Sequence, residues 1–94
     1  ESDLVARYGG EEFLFCFVGM NELDAAHACE DLRLAVERED WAAISPGMCV
    51  TMSVGVAGRG EDPGLQALFS RADTRLYRAK QLGRNRVVAG PSAA

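Results

Sequence analysis

The chain has 94 residues, 48% hydrophobic and 26% charged, which bounds it to one small domain with an ordinary globular balance. Its net charge of −4 argues against general nucleic-acid binding, which needs a basic footprint. No apolar run approaches the ~18 residues that a membrane span requires, and no signal peptide is visible, so no membrane contact is expected of this segment.

The charge is unevenly placed. Residues 1–50 hold 11 acidic and 3 basic residues, whereas residues 51–94 hold 3 acidic and 7 basic ones. Such a chain could hold a metal ion on its acidic side and phosphate on its basic side, or simply carry two solvated faces. The cysteines, Cys16, Cys29 and Cys49, are odd in number, lack C-x-x-C spacing and lie in apolar segments. Buried free thiols in a reducing compartment are the expectation.

In chain order, Leu4 to Tyr8 and Phe13 to Val18 read as two strands joined around Gly9-Gly10, residues suited to a tight turn. Both alternating faces of the second strand are apolar, which predicts cover on both sides. Asn21 reads as the N-cap of a helix, with Asp24 three residues on. Ala25, Ala28, Cys29, Leu32 and Val36 follow at helical spacing; Glu30, Arg33 and Glu37 form the polar face, and His27 lies off the apolar stripe as a surface residue.

"ISPG" at 44–47 is a turn, and "MCVTMSVGVA" at 48–57 reads as a strand. Its Thr51, Ser53 and Gly55 face is small, which suggests close approach by a helix or ligand. After the loop "GRGEDPG", a longer helix places Leu65, Leu68, Phe69, Ala72, Leu76 and Ala79 toward the core and stops at Gly83, in the C′ position. Arg86 to Ala89 reads as a short last strand. The order is β-β-α-β-α-β, an α/β layered arrangement.

Two groups of residues could carry chemistry. Glu11 and Glu12 follow the glycine turn, and hard carboxylate oxygens there suit Mg2+ (or Mn2+), with one carboxylate on the metal and the other beside it or acting as a base. An exposed polar hairpin tip is the plain alternative. Lys80 and Arg84, four apart at the end of the last helix, could clamp phosphate oxygens, the arginine through its planar fork and the lysine as a point charge. Cations are equally at home at a helix C-terminus for dipole reasons alone. Asp73 and Tyr77, at i, i+4 on the same helix, read as structural.

Three stretches in this order, "RYGGEEF" at 7–13, "VTMSVGVA" at 50–57 and "ADTRLYRAKQLGRNRVV" at 72–88, closely resemble the GGDEF family, the diguanylate cyclase domains of bacterial cyclic di-GMP signalling. The first takes the GGEEF variant at Gly9 to Phe13. The last matches the pattern AD-x-A-L-Y-x-A-K-x-x-G-R-N, with Arg75 in place of the usual alanine.

The resemblance implies a fold with a central, mostly antiparallel sheet flanked by helices. It also implies condensation of two GTP into cyclic di-GMP with release of two pyrophosphates, each of two domains in a homodimer presenting one GTP. On that footing Gly9 and Gly10 let the backbone approach the nucleotide, Glu11 ligates the metal and helps activate the 3′-hydroxyl, and Glu12 completes the acidic site. Lys80 and Arg84 contact the terminal phosphates, and Asp3 matches the aspartate of the R-x-x-D product-inhibition motif. A cytoplasmic location is implied, with an upstream sensory domain as partner and any membrane anchor on other domains of the parent.

A complete GGDEF domain begins with a strand bearing a second metal-binding aspartate and with helices that recognise guanine. Residues 1–90 are therefore expected to be a partial domain lacking those elements, residues 91–94 a disordered tail, and the 94-residue chain inactive on its own. The alternative is a degenerate GGDEF module that binds GTP or cyclic di-GMP as a sensor without catalysis.

Overall fold

The computed structural model describes residues 4–9, 12–16, 21–58 and 64–90. The chain is α/β, in the order β1 (Leu4–Gly9), β2 (Glu12–Cys16), α1 (Glu22–Arg38), a single 3-10 turn (Trp41–Ala43), β3 (Val54–Gly55), α2 (Leu65–Gln81) and β4 (Val87–Val88). Apart from the 3-10 turn, this is the order that the apolar periodicity predicts.

The strands β1 and β2 form an antiparallel hairpin in which Leu4 pairs with Cys16, Val5 with Phe15, Ala6 with Leu14 and Arg7 with Phe13. The register then slips, and the hairpin closes on the pair Gly9 and Glu12. A slip of this kind places two residues of one strand against one of the other and sharpens the local twist. Gly9 and Glu12 thus belong to the ladder rather than to the turn, which moves each strand one residue further toward the tip than the composition suggests.

The helix α1 starts where the sequence places it. Asn21 is extended, and its side chain accepts a 2.8 Å hydrogen bond from the Asp24 amide, satisfying one of the donors that the first turn leaves open. Acidic Glu22 and Asp24 in that turn complement the helix dipole. At the other end the Trp41 indole donates to the Val36 carbonyl at 2.6 Å, tying the 3-10 turn back onto the helix.

The sheet differs from expectation. In place of one central, mostly antiparallel sheet, the described strands make two pairs, and β3 runs parallel to β4, Val54 beside Val87 and Gly55 beside Val88. The reason is the connection, since α2 carries the chain from the end of β3 back to the start of β4, and a crossover helix joins parallel neighbours. The strand expected over 48–57 is also much shorter, because β4 offers only two residues to pair with. Val54 donates to the Arg86 carbonyl and Val56 to the Val88 carbonyl, both at 2.9 Å.

Gly55 shows why the second face of this strand is small. A Cβ at Gly55 would fall on the Ala72 carbonyl and the Leu76 amide, so the backbone of α2 lies directly against β3. Ala79, fully buried, Val56 and Cys29 are the buried apolar residues of the described chain. Leu68, Ala72 and Leu76 are half-buried as expected of the α2 face, but Leu65 and Phe69 are exposed, as is Leu32 on α1. Leu65 is the first residue of α2, where Gly64 and Gln66 are exposed as well. Cys29 is buried and its thiol is pushed up by burial, whereas Cys49 is exposed, contrary to the expectation of uniformly buried thiols. Cys49 stands before β3 begins, in a segment with no ladder neighbour among the described residues. His27 is exposed, as expected. No described helix is long and apolar enough to cross a membrane.

Candidate functional site

Two places in the fold carry the residues singled out by their chemistry. One is the closed end of the hairpin, where Gly9 ends β1 and Glu12 begins β2. Gly10, Glu11 and Asp3 lie outside the described residues, as does the 91–94 tail. Among the described residues, no group of three or more His, Cys, Asp or Glu gathers as a metal cage.

The other is the C-terminal end of α2. Lys80 is half-buried in the last turn, and Arg84 is exposed just past it. Leu82 caps the helix, the Gly83 amide donates to the Lys80 carbonyl at 3.3 Å and the Arg84 amide to the Ala79 carbonyl at 2.9 Å. These are the two bonds of a Schellman motif, with Gly83 at C′ and a φ of 119°. The stop foreseen at Gly83 is therefore built in full, and it delivers Arg84 beside the helix end that holds Lys80.

The chain does not leave the left-handed region at Gly83. Arg84 has φ 64° and Asn85 φ 50°, and a residue with a Cβ spends roughly 1–2 kcal/mol there. Asparagine tolerates this conformation well; arginine does not. What holds the turn is a set of contacts from outside α2. The Asn85 amide donates to Ser53 Oγ at 3.1 Å, Asn85 Oδ1 accepts from Arg33 Nη1 at 2.8 Å, and Asn85 Nδ2 donates to Glu37 Oε2 at 2.9 Å. Arg33 is itself fixed by Glu30, 2.6 Å from Nη2, and by Glu37, 3.2 Å from Nη1. The hydrogen bond and charge of Glu30 raise the guanidinium's already high pKa further.

A second network fixes α2 along its length. Glu22 Oε1 accepts from the Gly58 amide at 2.7 Å and from Arg75 Nη1 at 3.1 Å, and Oε2 accepts from the Gly90 amide at 2.8 Å. Arg75 Nη1 also donates to the Val56 carbonyl at 2.8 Å, and Arg71 Nη1 to the Gly58 carbonyl at 3.2 Å. Burial disfavours the charged form of Glu22, but the two amides and Arg75 outweigh it and hold the carboxyl below its ordinary value. The start of α1, the ends of β3 and β4 and the middle of α2 thus meet on one carboxylate.

Neither the Glu22 network nor the joining of Ser53 and Asn85 to an inward-facing Arg33 was foreseen. Glu30, Arg33 and Glu37 carry the i+3 and i+4 spacing of a solvated ion-pair face, and nothing in that spacing shows that the Arg33 side chain is only 12% exposed. The available signal was Asn85 itself, a residue prone to left-handed turns directly after a helix stop.

Residues 1–86 match the family described as Diguanylate cyclase, GGDEF domain. The chain is 41% identical over 90 residues to Diguanylate cyclase DgcM of Escherichia coli (strain K12), covering 95% of this chain and 21% of that protein. It is 37% identical over 87 residues to Diguanylate cyclase A of Treponema denticola, covering 92% of this chain and 24% of that one. Among solved structures, the GGDEF domain of DgcB from Caulobacter crescentus in complex with c-di-GMP superposes with a TM-score of 0.84 at 34% identity. That match covers 96% of this chain and 53% of the other. The chain belongs to the GGDEF domain family. It spans about a fifth to a quarter of the length of these curated relatives and about half of the solved chain.

Proposed function

We propose that this chain is part of a diguanylate cyclase domain that condenses two GTP molecules into cyclic di-GMP with release of two pyrophosphates. The observation that carries the reading is that one chain of this family holds both the sequence GGEEF, whose Gly9 and Glu12 pair in the β1–β2 ladder, and a structured turn that presents Arg84 beside the helix end holding Lys80.

The residues suit the task. Glu11 and Glu12 supply hard oxygen donors of the kind that Mg2+ or Mn2+ prefers, and Glu11 is the proposed metal ligand. When bound, the cation neutralises charge on the reacting phosphate and favours the ionised 3′-hydroxyl. Gly9 and Gly10 leave room for the nucleotide against the backbone. Arg84, exposed on a fixed turn, and Lys80, in the last helical turn, hold the terminal phosphates of GTP, the pyrophosphate that leaves. The chain's own contribution is positioning and charge, which is what in-line phosphoryl chemistry asks of a protein. A second GGDEF domain presents the other GTP, Asp3 contributes to a product-binding site, and an upstream sensory domain controls pairing in a cytoplasmic setting.

We further propose that these 94 residues alone do not turn over GTP, because the GGDEF chain they superpose on is about twice as long. The test is incubation of the full-length protein with GTP and Mg2+, with chromatographic separation of products. The reading expects cyclic di-GMP and two pyrophosphates for each molecule formed. A folded full-length protein that binds GTP or cyclic di-GMP yet makes none is a sensor instead.

A further inference from the structure

Three successive left-handed residues, Gly83, Arg84 and Asn85, are an uncommon way to leave a helix when only the first is a glycine. The Schellman bonds explain Gly83 and the Arg84 amide; they do not explain Asn85. Its own contacts do. Every polar group of Asn85 is engaged: the amide with Ser53, the side-chain oxygen with Arg33, the side-chain nitrogen with Glu37, and the carbonyl with Arg33 at 3.4 Å. The partners come from α1 and from the segment entering β3, so the turn is anchored on elements independent of α2. On its other side the Arg84 carbonyl accepts from Arg86 Nε at 3.1 Å.

Arg84 itself shows the opposite pattern. Its backbone is held at both ends, its side chain is exposed, and among the described residues its guanidinium has no partner. A fixed base with an unengaged planar tip suits recognition of an anion that must be met in one orientation. Orientation fixed in advance spares the ligand the ordering cost that a loose loop would impose on binding.

We propose that Asn85, clamped by Arg33, Glu37 and Ser53, is a positioning residue that sets the aim of Arg84 at the terminal phosphates of a nucleoside triphosphate. The proposal rests on the reading of Arg84 as a phosphate contact. Glycine at this position keeps the left-handed turn but removes both side-chain bonds, so Asn85→Gly separates the clamp from the turn's conformational demand.

The experiment measures the dissociation constant of the full-length protein for α,β-methylene-GTP, whose reacting bond resists turnover, with Mg2+ present. Wild type, Asn85→Gly, Arg84→Ala and the double variant are compared, with thermal unfolding to confirm folding. Asn85→Gly is expected to weaken binding on the order of tenfold, the equivalent of one lost hydrogen bond, in the wild-type background. Added to Arg84→Ala it should change binding by less than about twofold, because the residue acts through Arg84. Ser53→Ala, which removes only the bond to the Asn85 amide, should give the same pattern at smaller size and serves if Asn85→Gly does not fold. Equal loss in both backgrounds, or no loss in either, overturns the positioning role and leaves the Arg84 contact standing. Unchanged binding in Arg84→Ala, or no binding by wild type, overturns both.

Discussion

Arg75 Nη1 lies 3.1 Å from Glu22 Oε1, with the arginine side chain 12% exposed and the glutamate 30%. This ion pair joins the middle of α2 to the first residue of α1, and each partner also bonds backbone: Arg75 the Val56 carbonyl, Glu22 the Gly58 and Gly90 amides. Substituting Arg75→Ala leaves a partly buried carboxylate without its cation. A loss of roughly 2–3 kcal/mol is expected, read as a lower urea midpoint for the intact protein. The double variant Glu22→Gln/Arg75→Ala should be less destabilised than the sum of the single changes.

The same carboxylate sets a pH dependence. The Glu22 pKa in the folded chain is lowered from an ordinary 4.5, so its contribution is complete above pH 4.5 and is lost as pH falls through the folded value. Glu30, lowered by its hydrogen bond to Arg33, acts in the same direction. Thermal unfolding followed between pH 6 and 3 should show a falling midpoint below about pH 4.5, with a shallower slope in Glu22→Gln.

Gly55 has no room for a side chain, since a Cβ would strike the backbone of α2 at Ala72 and Leu76. Gly55→Ala must either push the helix away or break the β3–β4 pair. A destabilisation of roughly 3 kcal/mol or more is expected, with loss of amide exchange protection at Val56, which donates to Val88.

Cys29 and Cys49 should differ in reactivity. Cys49 is exposed and Cys29 is buried with a raised pKa, and alkylation proceeds through the thiolate. Brief iodoacetamide treatment of the native protein, mapped by peptide mass spectrometry, should modify Cys49 well ahead of Cys29. Equal labelling of both would mean that α1 does not bury Cys29 in solution.

Local signals in the sequence were read correctly where the cause is local. Asn21 caps α1 because its side chain reaches an amide three residues away, and Gly83 ends α2 because only the chain's own last turn has to be satisfied. The small face around Gly55 pointed to close approach by a helix or a ligand, and α2 is what lies there. The direction of β4 was not legible, because it depends on where α2 returns the chain, and neither was the exposure of Leu65 and Phe69, which depends on what the tertiary fold lays against α2. In the candidate site, Lys80 and Arg84 were singled out from spacing and resemblance. The clamp on Asn85 was hidden because Arg33 and Asn85 meet only through the tertiary fold, and a helical face of Glu30, Arg33 and Glu37 looks the same in sequence whether it faces solvent or a turn.

The most direct test of the central claim is the rate of cyclic di-GMP formation by the full-length protein, compared with its Glu12→Gln and Arg84→Ala variants at saturating Mg2+. Glu12→Gln should lower kcat by on the order of a hundredfold or more, as loss of a charge acting on the reacting centre does, while Arg84→Ala should act chiefly on the KM for GTP. Wild-type turnover that survives both substitutions unchanged, or a folded full-length protein that yields no cyclic di-GMP from GTP, would contradict the assignment of the hairpin and the α2 turn as one cyclase site.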